Sequence, residues 1–140
     1  MRFYEAPSHL QLPKLLDTGT RIDFAFLDGQ HLFDYVLLEC FYVDLMLPVG
    51  GVVALDDPWM DSVRKAAVFL VRNRRYRLVN YTNRLLRGKP APAWVRNTIG
   101  QLLNHPWMAR IGKIAFRGEA LLYLQKIRQD DRPWDWHRKF

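Results

Sequence analysis

The chain has a single cysteine, Cys40, which excludes an internal disulfide framework and a cysteine-based metal site. It has no apolar run near the roughly 18–20 residues that span a bilayer. The longest candidate, Leu32–Leu47, is interrupted by Asp34, Glu39 and Asp44. Met1–Leu16 lacks the apolar core of about 7–15 residues that marks a secretory leader. A cytoplasmic protein is therefore expected. There is no internal repeat or low-complexity stretch. No GxSxG, P-loop, RNP-like, zinc-finger or helix-turn-helix pattern occurs. Cys40 falls in the middle of an apolar helical stripe, where cysteine acts as a small hydrophobe. Nucleophilic catalysis thus has little to stand on.

What is present is ordinary globular material in an uneven charge arrangement. The 140 residues are 49% hydrophobic and 25% charged, enough for one domain with a real core. The net charge is +7, yet the first seventy residues carry 5 Lys/Arg against 10 Asp/Glu and the last seventy carry 16 against 4. A basic half can attract nucleic acid or a membrane surface, or can be a solvated face that meets an acidic substrate or another subunit. With no recognition motif beside it, the second reading is preferred, and neither nucleic acid nor membrane is expected as a partner.

The most telling stretch is IDFAFLDGQHLFDYVLLECFYVDLMLPVGGVVALDD, from Ile22 to Asp57. Two short apolar runs end in carboxylates, Asp28 after the first and Asp56-Asp57 after the second. Between them lies a long helix-spaced segment closed by Pro48 and Gly50-Gly51. Strand, helix, turn and strand make a right-handed βαβ unit with parallel strands. Ligands of such sheets lie beyond the carboxyl ends of the strands, which gathers Asp28, His31, Asp56 and Asp57 around one cleft. Strands are expected at 2–6, 22–27, 52–55, 76–81 and 120–127. Helices are expected at 9–16, capped by Ser8, at 31–47, and from Pro58 through 61–73. The helix at 31–47 should bury Phe33, Val36, Leu37, Cys40, Phe41 and Leu45. Residues 82–118 read as a helical insert, with short helices around 94–103 and 107–114, and 129–140 as a polar, aromatic tail.

The ordered set of a strand ending DGxH, a helix, LPVGG and a strand ending DD resembles class I S-adenosylmethionine-dependent methyltransferases. It is most similar to small O-methyltransferases of the catechol and caffeoyl-CoA type and their bacterial relatives. The resemblance implies an α/β fold: a partial Rossmann-like sheet, mostly parallel with an antiparallel last strand, and helices on both faces. Residues 2–6 would be the third strand of that sheet and 120–127 the seventh. It also implies transfer of a methyl group to an oxygen of a small-molecule acceptor. Such enzymes open with a strand, a glycine-rich loop and a helix, then a strand ending in an acid that holds the ribose. Neither occurs here, since Gly50-Gly51 precedes a strand rather than following one. The chain thus reads as the carboxyl-terminal two-thirds of such a fold, and these residues alone are expected to bind S-adenosylmethionine weakly or not at all. The alternative is a non-catalytic remnant or assembly module. A homo-oligomer, or a missing amino-terminal half, is the expected partner.

By the same resemblance, Ser8, His9, Asp28 and Gly29 would touch the cofactor, Ser8 and His9 at its adenine ring. His31, with Asp28, would act on the acceptor hydroxyl, imidazole being a base suited to neutral pH. Asp28, Asp56 and Asp57 would hold Mg²⁺ or another divalent cation, which prefers oxygen ligands; Asp57 stands where the family usually carries Asn. Trp59 would wall the substrate. Plainer roles stand beside each of these. Ser8 and Asp57 can cap helices, His9 can lie on the surface, Asp28 can form a turn with Gly29, and His31 can cap a helix or bond a strand-end carboxylate. Trp94, Trp107, Trp134 and Trp136 suit core or interface packing.

Overall fold

The computed structural model describes residues 1–83, 89–103 and 120–136. In chain order the elements are α1 (Ser8–Asp17), β1 (Phe24–Leu27), α2 (Phe33–Met46), β2 (Val52–Asp56), α3 (Asp61–Asn73), β3 (Tyr76–Asn83), α4 (Ala93–Leu103) and β4 (Ala120–Lys126). They form an α/β structure around one open, mixed sheet of order β1-β2-β4-β3. β1 and β2 pair in parallel, Phe24 opposite Val52 and Leu27 opposite Leu55. β4 runs antiparallel to both β2 and β3.

The βαβ unit therefore forms as its pattern dictates, and the last strand is antiparallel. Three expectations fail. Residues 2–6 form no strand; they are exposed and unpaired, and a stretch with only Phe3 and Tyr4 as large apolar groups has no face to bury. The strand at 76–83 is not a neighbour of β2, because β4 inserts between them. Helices do not cover both faces among the described residues. Alternation along β2 and β4 sends Val53, Leu55, Leu122 and Leu124 to one side. There they join Val36, Cys40 and Val43 of α2, Val63, Ala67 and Leu70 of α3, and Ile99 beyond them on α4 in a single core. The opposite side carries Phe24 and Phe26, 55% and 51% exposed.

Local details also shift. α1 starts one residue early, after Pro7, so Ser8 lies inside the helix rather than capping it. Gly19, at φ +72°, ends it, a conformation glycine adopts without a Cβ penalty. Pro58 sits in a turn, with the Met60 amide bonded to the Asp57 carbonyl at 2.9 Å, and α3 begins only at Asp61. The buried face of α2 is Val36, Glu39, Cys40, Val43, Asp44 and Met46; Phe41 and Leu45, assigned to the core, are exposed. Of the insert, Thr82 and Asn83 extend β3 and α4 matches the first short helix, while the helix expected at 107–114, with Trp107, lies outside the described residues. Trp94 is 73% exposed rather than folded onto the core. In the tail, Arg75 lies over the Trp136 ring at 5.5 Å, while Trp134 is exposed.

The pole holding the amino ends of the parallel strands is fastened by buried charge. Asp44 of α2 accepts from the Tyr76 hydroxyl at 2.8 Å and pairs with Lys126 at 3.2 Å and Arg74 at 3.3 Å. The Lys126 ammonium also donates to the Asp44 and Leu47 carbonyls, at 2.6 and 3.1 Å. Arg74 bonds Asp130 of the tail and lies over the Phe41 ring. Ions survive burial only when paired and hydrogen-bonded in this way.

Candidate functional site

At the opposite pole, the carboxyl ends of β1 and β2 lie side by side because the two strands pair in register. Asp28 follows β1 and Asp56 ends β2. Burial raises the Asp56 carboxyl above its ordinary range; the Asp57 backbone N–H opposes this, and the negative charges of Asp57 and Asp28 reinforce it. The Asp28 side chain is near enough to share a hydrogen bond with a protonated Asp56. His31 approaches the same group, its Nε2 lying 4.0 Å from Asp28 Oδ1. That nitrogen is buried and has no hydrogen-bond partner among the described residues. His31 caps no helix, since Leu32 occupies the N-cap of α2. Its carbonyl is fixed instead by the Ser62 hydroxyl of α3 at 2.5 Å.

Asp57 turns away from this cluster. Its φ of +49° is a left-handed conformation that Asn and Asp tolerate better than most residues, so either type suits the position. Its Oδ1 accepts from the Trp59 indole at 2.9 Å, which holds Trp59 against the strand end with its ring 41% exposed. Among the described residues no group of three or more His, Cys, Asp or Glu side chains is arranged to hold a metal ion. Asp28 and Asp56 meet, but Asp57 does not complete a three-carboxylate site for Mg²⁺ or another divalent cation.

Beside the carboxylates lies a pocket of about 440 Å³ lined by Ser8, His9, Gly29, Gln30, Tyr35 and Glu39. α1 supplies the first two, the β1–α2 loop the next two and α2 the rest. Three of the four residues assigned to cofactor contact thus share one cavity, with Asp28 adjoining it in the chain. His9 stands edge-on to Tyr35, ring centres 5.6 Å apart, and its Nδ1 is buried with no partner among the described residues. Glu39 is the member that sequence reasoning missed. It is buried, accepts from Ser8 Oγ at 2.7 Å, and its Oε1 lies 2.9 Å from where a Cβ on Gly29 would sit. Position 29 must therefore lack a side chain for the carboxylate to come so close. An acidic residue flanked by apolar ones within a helix, ten positions after a DG turn, was the available signal.

Chemically, the pocket pairs an aromatic edge with an acceptor-only carboxylate, which suits a flat ring bearing N–H or O–H donors. The neighbouring cluster offers an imidazole nitrogen and two carboxylates, one of raised pKa, for proton transfer. Neither a protein-family model nor a curated protein matches the chain.

Proposed function

We propose that these residues form part of an S-adenosylmethionine-dependent methyltransferase fold that methylates an oxygen of a small-molecule acceptor. The observation that carries this reading is the shared pocket of Ser8, His9 and Gly29 beside the Asp28, His31 and Asp56 cluster. The parallel β1–β2 pair and the antiparallel last strand agree with it. The cofactor would supply an activated methyl group on a sulfonium. On this chain, His9 and Tyr35 would edge the adenine, and Glu39 and Asp28 would accept hydrogen bonds from its donors. His31 Nε2 would take the proton of the acceptor hydroxyl, with Asp28 favouring the imidazolium that results. Trp59 would exclude water from one side.

The 140 residues hold no glycine-rich loop after a strand, so the remainder of the cradle would come from another polypeptide segment. Without it, each lost hydrogen bond to a charged group removes about 1.5–3 kcal/mol, and every 1.4 kcal/mol is tenfold in affinity. Calorimetry with S-adenosylmethionine should therefore show saturable binding no tighter than about millimolar, abolished by Gly29→Ala. A micromolar dissociation constant lost in Asp28→Ala would mean that the site is already complete. No binding at any accessible concentration would favour the second reading, a non-catalytic assembly module, which the exposed Phe24 and Phe26 support.

A further inference from the structure

The run Arg72–Arg77 contains four arginines, and they do two different things. Arg74 turns into the buried network with Asp44 and Asp130. Arg72, Arg75 and Arg77 instead line an open cavity of about 520 Å³, together with Arg96 of α4. Among the described residues no carboxylate lines this cavity, and none of these four arginines forms an ion pair. Val71, Leu78 and Ile127 give it apolar walls, and Asn97 and Gln101 add two amides.

Three features mark the cavity as more than a solvated basic surface. Arg75 has φ +60°, a costly backbone state for a long side chain, of the kind that collects at ligand clamps. Its Nε is buried and has no hydrogen-bond partner among the described residues, while its guanidinium lies over the Trp136 ring. Two of the other guanidiniums are aimed by neutral acceptors that leave their charge uncompensated. Arg77 Nε and a terminal nitrogen both donate to Gln125 Oε1, at 3.2 and 2.9 Å, and Arg96 donates to the Val79 carbonyl at 3.3 Å. A cavity lined by arginines without an ion pair holds uncompensated positive charge that an anion would offset, and planar guanidinium forks match phosphoryl oxygens. The volume falls within the range of about 300–1,000 Å³ typical of small-molecule sites, which leaves room for an organic body besides the phosphate.

We propose that the cavity between α3, β3 and α4 binds a phosphorylated small molecule. Arg72, Arg75 and Arg96 take the phosphoryl oxygens, and the organic body lies against Val71 and Leu78. This site is separate from the Ser8–Glu39 pocket and does not depend on the methyltransferase reading, since a sulfonium carries no phosphate.

The test is calorimetric titration of the full chain with ADP, tripolyphosphate and a single-stranded oligonucleotide at fixed ionic strength. ADP should bind one-to-one and more tightly than tripolyphosphate. Arg96→Gln and Arg72→Gln should each weaken ADP binding by about tenfold, the loss of one charge-assisted hydrogen bond. Arg128→Gln, which removes a surface arginine paired with Asp131, should leave it unchanged. Thermal melts confirm folding, and Arg75→Gln replaces any variant that does not fold. Absence of saturable ADP binding overturns the proposal, as does equal binding by all variants. Tighter binding of tripolyphosphate removes the organic body from the assignment. Tighter binding of the oligonucleotide through the same arginines transfers the site to a nucleic-acid backbone.

Discussion

Gly29 and Glu39 show how far one missing side chain reaches. A Cβ at position 29 would push the Glu39 carboxylate away from Ser8. Replacing glycine by alanine gains about 0.4–1 kcal/mol through the unfolded chain, whereas a hydrogen bond to a charged group is worth about 1.5–3 kcal/mol. The atoms displaced are the far end of a flexible side chain, so the two effects largely offset and Gly29→Ala should change stability by less than about 1 kcal/mol in urea melts. Cys40 makes a simpler prediction. Burial, then the charges of Glu39 and Asp44, push its thiol well above the usual range, and the thiolate is the reactive form. Aromatic disulfide reagents should label it only at the rate of unfolding. Two carboxylates give the fold a two-sided pH response. Asp56 is raised, so native protein binds its proton more tightly than the unfolded chain, and stability rises as pH falls from that raised value toward the ordinary 3.8. The hydrogen bond from Arg132 lowers Asp130, against burial and with help from the Arg74 charge. Its contribution is present above 3.8 and is lost as pH falls through the lowered value. Denaturation midpoints should therefore peak in mildly acidic solution, and Asp56→Asn should flatten the alkaline side of that peak.

At the scale of elements, α2 separates what the sequence discloses from what it hides. Its existence and position were legible from spacing and from the Pro48-Gly50-Gly51 stop. Its buried face was not, because an apolar stripe drawn through Phe33, Phe41 and Leu45 passes over the acids at 39 and 44, which are among its most buried residues. Their partners are Ser8, Tyr76, Arg74 and Lys126, all at least thirty positions away, and periodicity within a helix carries no information about them. The candidate site was legible to the same depth: Asp28, His31 and Asp56 follow from strand ends, Ser8, His9 and Gly29 from the family resemblance, but not Glu39. The cost of breaking the distant network should be large. Lys126→Met leaves Asp44 buried with one cation fewer, and removing one partner of a buried pair typically costs about 3–5 kcal/mol. Equilibrium unfolding should place this variant at the low end of that range, since Arg74 and Tyr76 remain.

For the whole molecule, strand order is the fact that linear pattern could not supply. Strand, helix and strand in succession suggest neighbours, yet β4, the last strand in the chain, divides β2 from β3. The outer edge of β1 has no partner strand among the described residues, and the sheet face beside it shows Phe24 and Phe26. An open edge next to apolar surface favours association. Light scattering should report a concentration-dependent increase in mass, reduced in the Phe24→Lys, Phe26→Lys double variant. A clean monomer at high concentration would contradict it.

The central seat of β4 also bears on biosynthesis. β2 is complete at Asp56, but the strand that closes it onto β3 ends at Lys126. At synthesis rates of roughly 5–20 residues per second, the nascent chain waits on the order of 4–14 seconds with the sheet in two pieces. During that interval Val53 and Leu55 lack the Leu122 and Leu124 beside which they finally lie. Chaperone demand should therefore depend on the arrival of residues 120–126, and a chain cut before Ala120 should be insoluble rather than form a smaller domain.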